Sequence, residues 1–164
     1  MKTYPFHLLF LTLLLSGCHS EPKDFTLSFT LESLEIYKLS IEINPDKSYH
    51  IQQQNLYLDT HANTQQINTS QGLMTDEEYD ELKELIAGSH LFKLKDSYGF
   101  DKEPDENNPF ANLTYQLTYT QGRKVKYITQ RPNTTDQFPA KYIELIQFLI
   151  RYSSKINQTM ETPA

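Results

Sequence analysis

Polar and apolar residues alternate along several stretches of the chain, and this alternation restricts its fold more than any other feature. In residues 25–32, apolar side chains alternate with Thr26, Ser28, Thr30 and Glu32. Successive side chains of a strand point to opposite faces, so a period of two predicts a strand with one buried face and one face open to water. Such strands require a second layer that covers the buried face.

The first of two predicted β-hairpins occupies residues 36–54. Its alternating segments flank residues 44–47, Asn-Pro-Asp-Lys, where the proline presets a turn dihedral angle and the Asn and Asp side chains bond to their own backbone. A polar stretch follows the hairpin, and we expect a short strand in it near residues 66–68.

The second predicted hairpin has its turn at Gln121-Gly122, after the alternating residues 113–119. On the return strand we expect the odd-numbered positions from Val125 to be buried. The lysines between them, Lys124 and Lys126, are then expected to face solvent, where charge discourages pairing between sheet edges.

Two helices are predicted. Thr75 and Glu78 form the Thr-x-x-Glu pattern of a capping box ahead of an apolar helical face, and Gly88 is the expected stop. A second helix is expected to begin near Pro139, because proline suits the first helical position. Residues 142–150 give this helix a wide apolar surface.

These elements predict an α+β fold, with an antiparallel sheet of about five strands and two helices packed on one face. The other face is expected to carry Thr, Ser, Gln and Lys side chains to water. We interpret residues 25–156 as a single domain and residues 157–164 as a polar tail, because no repeat or linker divides the chain.

The first 17 residues have the layout of a secretory signal. Lys2 supplies a positive start, Phe6 to Leu15 form an apolar core, and Ser16-Gly17 are small residues suited to a cleavage site. The core is too short to span a bilayer of about 30 Å as a helix. We therefore predict that residues 1–17 are removed and that residues 18–24 form a short tether.

Cys18 is the only cysteine, and with Leu15-Ser16-Gly17 before it the segment resembles a bacterial lipobox. The resemblance implies that Cys18 becomes the lipidated first residue of the mature protein, with a diacylglycerol and usually an amide-linked acyl chain. Two or more acyl chains give stable membrane anchoring, whereas one gives marginal binding. His19 stands where many inner-membrane lipoproteins have Asp, so the same resemblance favours the outer membrane. The alternative is an ordinary signal peptide that leaves a free thiol.

The composition of the chain restricts the kinds of partner that it is expected to bind. Removal of residues 1–17 leaves 147 of the 164 residues, and the loss of Lys2 changes the net charge from −6 to −7. An acidic chain without basic clusters in its sequence disfavours nucleic acid and electrostatic docking on anionic lipid. No cofactor is predicted, since the chain has only five glycines and no Gly-rich phosphate loop.

An acidic stretch in the second half of the chain is the best candidate for chemistry. Asp101, Glu103 and Asp105 place oxygen ligands at alternate positions, as at the start of a calcium-binding loop. Glu106 stands where that loop needs Gly, and Asn112 stands where it needs a bidentate Glu. A solvated acidic loop is the favoured interpretation, and a weak calcium site is the alternative.

Catalytic patterns are weaker still. His50, His61 and His90 lie far apart, and no two of them are spaced to share a helix face. The chain also has no Gly-x-Ser-x-Gly nucleophile motif. No catalytic residue is therefore predicted.

Four motifs follow one another along the chain: the turn at residues 44–47, the helix from Thr75, the aromatic segment 91–98 and the basic hairpin at 122–126. This order resembles a family of small, uncharacterised bacterial secreted lipoproteins with one α+β domain. The similarity covers most of residues 34–152. The family has no assigned catalytic residue, so the resemblance implies a fold and a location only.

Together these features predict a membrane-anchored lipoprotein of the bacterial envelope, facing the periplasm or the cell surface. We expect it to be a non-enzymatic binding or structural protein that meets a partner through its open sheet face or an edge strand. One alternative is an immunity or inhibitor lipoprotein whose acidic surface binds a basic toxin. The other is a small enzyme or metal-dependent binder that uses the loop at residues 95–111.

Overall fold

The alternating segments form most of the strands of an α+β domain. The computed structural model describes residues 22, 24–33, 36–55, 66–100, 112–131 and 137–161. The strands are β1 (Phe25–Ser33), β2 (Tyr37–Ile43), β3 (Ser48–Asn55), β4 (Gln66–Leu73), β5 (Ser97–Tyr98), β6 (Leu113–Gln121) and β7 (Lys124–Gln130). The helices are α1 (Asp76–Ser89) and α2 (Ala140–Glu161), and a 3-10 turn spans Leu91–Lys93.

The strands form one seven-stranded mixed sheet in the order β4-β3-β2-β1-β6-β7-β5. The α+β class agrees with the sequence prediction, but about five antiparallel strands is corrected to seven strands, with β5 parallel to β7. β5 has two residues and is too short to show a period. The helix-facing positions of β4 carry Asn68, Ser70 and Gly72, so this strand has no apolar alternation.

One face of the sheet is apolar and is built from cross-strand rows. In one row Phe29 lies between Ile41 and Leu117, and all three side chains are at most 1% exposed. The opposite face carries mainly Thr, Ser and Gln side chains, which are exposed or half-buried, as at Ser28 and Thr118. Period-two alternation therefore divides the sheet into a core face and a polar face.

Both helices pack on the apolar face. Phe25 of β1 stacks on Tyr79 of α1, and Tyr49 of β3 meets Tyr152 of α2 edge-on, each with ring centroids 5.5 Å apart. Such aromatic pairs add to the stabilisation that comes from burial of their area. The two helices contact each other as well, which closes a core between one helix layer and one sheet.

α1 begins at the predicted cap. The Thr75 hydroxyl accepts from the Glu78 N–H, and a Glu78 carboxylate oxygen accepts from the Thr75 N–H at 2.9 Å. This reciprocal pair confirms the capping box. The expected stop at Gly88 is wrong, because α1 ends one residue later and His90 adopts the left-handed conformation with φ 49°.

Gly88 has a packing role instead. A Cβ at this position would lie 2.8 Å from Lys141 Cγ on α2, so the absence of a side chain lets the two helices approach closely. α2 begins directly after Pro139, as predicted, and continues to Glu161. Residues 157–161, expected in a polar tail, therefore extend the helix.

The β6–β7 hairpin has the opposite phase to the one predicted. Gln121 pairs with Lys124 across a two-residue turn, Gly122-Arg123, in which Gly122 has φ 58°. Ile128 is buried, whereas Val125 and Tyr127 are 46% and 62% exposed on the polar face. A one-residue change of register moves every side chain of a strand to the other face.

Lys126 lies on the helix side of the sheet as a result. Its side chain is 12% exposed, and its ammonium group lies 2.5 Å from Asp96 Oδ1 and donates to the Leu94 carbonyl. The aliphatic stem is covered while the charged end finds two oxygens at the rim, an arrangement typical of lysine. Gln130 follows on the same face, and its Oε1 has no hydrogen-bond partner among the described residues.

Candidate functional site

The helix-facing side of the sheet changes from apolar to polar half-way along β3 and β4. Ile51 pairs with Ile41 in one row, and both are buried. In the row two residues further along β3, Gln53 pairs with Asn68. The sheet therefore presents amide side chains at positions whose neighbours form the core.

A cavity of about 730 Å³ opens at this polar end, between the sheet and the C-terminal part of α2. Ten of the described residues line it, and none of these ten is charged. Five carry side-chain amides: Gln53, Asn55, Asn68, Asn157 and Gln158. The tenth is Ile67, and the other four carry hydroxyl groups: Tyr37, Thr69, Ser153 and Ser154. We call this site the amide-lined cavity.

Hydrogen bonds hold part of the cavity wall in place. The Asn157 amide on α2 donates to Gln53 Oε1 on β3 over 2.5 Å. The hydroxyl groups of Ser153 and Ser154 donate to the Ile150 carbonyl of their own helix. The wall therefore offers oriented donors and acceptors.

Tyr37 keeps its proton under ordinary conditions. Burial raises the pKa of its hydroxyl group above the usual value of 10.0, because the charged form loses solvation. The cavity can therefore form hydrogen bonds with a ligand, and the lining residues that the structure describes include no carboxylate or cation at neutral pH.

A second surface lies where the described chain begins. Pro22 is buried, and it borders a cavity of about 230 Å³ together with Phe92, Lys93 and Gln121. Phe92 is 41% exposed, and Lys124 Nζ lies 5.9 Å from its ring centroid. We call this surface the Pro22 corner and define it by Pro22, Phe92, Lys93, Arg123 and Lys124.

The Pro22 corner combines an aromatic ring with positive charge. Lys93, Arg123 and Lys124 are all exposed, and among the described residues Asp24 is the exposed acid nearest in sequence to Pro22. Lys93 is separated by 30 positions from the neighbouring pair Arg123-Lys124, and the fold brings Lys124 of this pair over the Phe92 ring.

The Pro22 corner and the amide-lined cavity lie at opposite ends of the sheet. β1 begins at Phe25, opposite Gln121, and ends at Ser33, opposite Tyr37. Gln121 borders the corner and Tyr37 borders the amide-lined cavity. A nine-residue strand is about 26 Å long, so a distance of this order separates the two surfaces.

The carboxylates with shifted pKa values line neither of these two surfaces. Hydrogen bonds from Ser48 lower the pKa of Asp46, and the Lys47 ammonium lowers the pKa of Asp76. Burial opposes the shift at Glu78, but hydrogen bonds from Lys155 and Thr75 outweigh it and lower the pKa. These shifts come from surface ion pairs and turn or cap contacts, which stabilise local structure.

The residues singled out from the sequence fall mainly outside the described part of the chain. Cys18, Asp101, Glu103, Asp105 and His61 all lie there. Of the other two histidines, His50 is exposed on the polar face and His90 ends α1. Within the described ranges, no three His, Cys, Asp or Glu residues are grouped so that they could hold a metal ion.

The described helices include none that is both long enough and apolar enough to cross a membrane. Comparison with known proteins adds no relative: the sequence matches no protein-family model and no curated protein.

Sequence reasoning missed the amide-lined cavity, although a signal for it was present. Gln53 and Asn55 occupy the odd-numbered positions that carry Tyr49 and Ile51 earlier in the same strand. An amide in the buried phase of a strand marks a place where the core ends or where a polar site begins. Asn157 gave no such signal, because only the tertiary fold brings it to Gln53.

Proposed function

We propose that the chain is a lipid-anchored protein of the bacterial envelope whose domain binds a partner and catalyses no reaction. The observation that carries this proposal is the burial of Pro22, four residues after Cys18, at a corner with an exposed aromatic ring and three cations. Four residues span at most about 14 Å, so an acylated Cys18 would hold this corner close to the lipid.

The chemistry of the Pro22 corner suits that location. Phe92 supplies an apolar group, and lysine and arginine side chains bury their stems while their charged ends reach lipid phosphates. The negative net charge of the chain argues against docking of the whole domain on anionic lipid, but attraction at this distance depends on the nearest charges because salt screens distant ones. The corner and the acyl chains would act as two signals for membrane attachment.

Such an anchor would leave the amide-lined cavity and most of the polar sheet face directed into the aqueous compartment. The cavity lies at the far end of the strands from Pro22, and its described lining provides amide and hydroxyl groups for hydrogen bonding. This chemistry supports binding. His19 after the predicted acylation site supports placement in the outer membrane, by resemblance to the sorting rule of bacterial lipoproteins.

The anchor is tested by replacing the thiol. In a bacterial host, the full chain is expected in the membrane fraction and should incorporate an alkyne-labelled palmitate. Cys18→Ser should abolish the label and release or mislocalise the chain, whereas the matched variant Ser20→Ala should behave like the unmodified chain. Labelling of Cys18→Ser, or its unchanged recovery with membranes, would contradict the proposal.

The orientation is tested with spin labels, because acylation of Cys18 leaves no other thiol in the mature chain. Arg123→Cys places a label at the Pro22 corner, and Ser154→Cys places one beside the amide-lined cavity. In vesicles that contain anionic phospholipid, the label at position 123 should be relaxed more strongly by a lipid-bound nickel chelate. Equal relaxation at the two positions would show that the domain has no preferred orientation.

A further inference from the structure

The residues around the amide-lined cavity indicate the class of ligand that it can bind. We propose that this cavity binds an uncharged saccharide. The inference rests on the proposed binding function and specifies its ligand. It is drawn from the size, charge and hydrogen-bonding groups of the cavity and from their place in the fold.

Ionic ligands are the first class that the lining of the cavity disfavours. Among the described residues, the ten that line the cavity carry no charge, so they offer an anionic or cationic ligand no ion pair in return for its lost hydration. A hydrocarbon ligand is disfavoured for the opposite reason, since it would cover amide groups and leave them unsatisfied. A neutral ligand rich in polar groups avoids both costs.

The hydrogen-bonding pattern of the amide groups restricts the class of ligand further. Each side-chain amide has a carbonyl acceptor beside an NH₂ donor, and a pair of neighbouring sugar hydroxyls can satisfy both at once. Gln53 and Asn68 lie opposite each other on adjacent strands, and Asn157 approaches Gln53 from α2. Amides from three elements therefore converge on one space.

The cavity also has the apolar surface that a sugar ring requires. Tyr37 is half-buried in the wall on the helix-facing side of the sheet, where it pairs with Asn55, whereas Ile67 borders the cavity from the opposite phase of β4. The C–H face of a pyranose can pack on the Tyr37 ring while its hydroxyls reach the amides. A volume of about 730 Å³ is within the range of small-molecule sites and is large enough for more than one sugar ring.

The sheet and the helix hold the binding groups before a ligand arrives. Gln53 and Asn68 are on strands paired in a continuous ladder, and the bond from Asn157 fixes one amide pair. Groups that are already ordered cost less conformational entropy on binding. A peptide ligand is less favoured, because extended peptides bind by pairing with backbone at a sheet edge such as β4. The amides of the cavity instead face the helix layer.

The experiment is a titration of the full chain in a zwitterionic detergent that contains no sugar headgroup. Isotope labelling resolves the side-chain amide signals of Asn and Gln by nuclear magnetic resonance. The probes are chitotetraose, maltotetraose and cellotetraose, added to about 10 mM so that millimolar dissociation constants are detected. Tetragalacturonate serves as an anionic control, and a capped Thr-Val-Thr-Val peptide tests binding at the edge strand.

At least one neutral tetrasaccharide is expected to shift the side-chain signals of Asn68 and Asn157, and tetragalacturonate to bind more weakly. Asn68→Leu should weaken binding of that tetrasaccharide about tenfold or more, because it leaves ligand hydroxyls without a partner. Gln116→Leu, which alters an exposed amide on the opposite face of the sheet, should leave the affinity within twofold. Asn68→Asp keeps the size of the side chain and should weaken binding as well, so a folding defect of the leucine variant would not hide the result.

The proposal is overturned if no neutral tetrasaccharide shifts these signals, if tetragalacturonate binds as tightly, or if Asn68→Leu and Gln116→Leu have equal effects. Shifts of β4 backbone signals with the peptide alone would show that the ligand is a peptide. The titration does not depend on acylation of Cys18, so the ligand inference and the membrane anchor can fail separately.

Discussion

The side-chain amide of Asn157 donates to Gln53 Oε1 over 2.5 Å and joins the last part of α2 to β3 across 104 positions of sequence. Both residues occur at the end of an apolar pattern, where the core face of the sheet and the buried face of α2 become polar. The bond holds the helix over the end of the sheet and forms one wall of the amide-lined cavity.

This contact predicts a measurable coupling between the two side chains. Chemical unfolding of Gln53→Ala, Asn157→Ala and the double variant should give a coupling energy of about 0.5–1.5 kcal/mol in favour of the native pair, the usual net value of a hydrogen bond. The cycle cancels the effect of each substitution on strand or helix propensity. Simple additivity of the two single losses would mean that the bond does not stabilise the fold.

Gly88 is predicted to be required for the approach of the two helices. Gly88→Ala should destabilise the protein by about 1 kcal/mol, because the new Cβ meets Lys141 Cγ near the backbone of α2, although alanine has the higher helix propensity. In a Lys141→Ala background the same substitution should cost less or become stabilising. Thermal or chemical unfolding of the four variants measures the difference, and an identical change in both backgrounds would contradict the packing argument.

The turn between β6 and β7 requires glycine for conformational reasons alone. Gly122 has φ 58°, and a Cβ added there would have no atom within 4 Å. Gly122→Ala should therefore cost about 1 kcal/mol through backbone strain. Arg123→Ala, at the neighbouring position of the turn, should stay within about 0.5 kcal/mol of the unmodified chain. Equal stabilities of the two variants in urea unfolding would argue against this account.

The opposite orientations of Lys124 and Lys126 give a direct test of the hairpin register. Lys126→Met should keep the packing of the stem but remove the bonds to Leu94 and Asp96, with a loss of about 1–2 kcal/mol. Lys124→Met alters an exposed side chain and should change the free energy of unfolding by less than about 0.5 kcal/mol. If both lysines faced solvent, as the alternation alone predicts, the two substitutions would change the free energy of unfolding by equally small amounts.

The cap of α1 predicts an acid-dependent term in stability. The pKa of Glu78 is lower in the folded protein than in the unfolded chain, so its contribution is complete above the unfolded value and is lost as pH falls through the folded value. Glu78→Gln keeps an acceptor for the Thr75 N–H but loses the ion pair with Lys155. It should be less stable by about 0.5–1 kcal/mol at pH 7, since solvent weakens this pair.

The difference between Glu78→Gln and the unmodified chain should disappear at a pH well below 4, as Glu78 itself becomes neutral. Unfolding measured from pH 7 to acid checks the sign. Glu77→Gln removes a neighbouring carboxylate of the first turn and leaves the contact with Lys155 in place. A difference for Glu78→Gln that grows on acidification would contradict the assignment.

The features that depend on residues close together in the chain could be predicted from the sequence. The turn at residues 44–47 forms because its own side chains bond to its backbone, as when Asp46 accepts from the Ser48 N–H. The start of α1 depends in the same way on Thr75 and Glu78, three positions apart. The α+β class followed because period-two and helical patterns were both clear.

Features decided by distant contacts could not be predicted in this way. The apolar residues of β7 predicted that one set of alternate positions faces the core. In the structure the other set faces it, and this set includes Lys126, which reaches Asp96, 30 positions earlier. Gly88 resembled a helix stop because its packing partner lies on another helix. Lys124 of the Pro22 corner likewise reaches Phe92, and the amides of the cavity come together, only when the chain has folded.

The place of β1 in the sheet has a mechanical consequence. This strand begins directly after residues 18–24, the predicted tether, and is paired on both sides, with seven residue pairs to β2 and nine to β6. A force applied at Asp24 pulls along the strand, and the ladder hydrogen bonds lie across that direction. The bonds of both ladders then share the load in shear, whereas those of an edge strand peeled sideways break one after another. A domain held by this strand would keep its fold when drag or a bound partner pulls against its attachment.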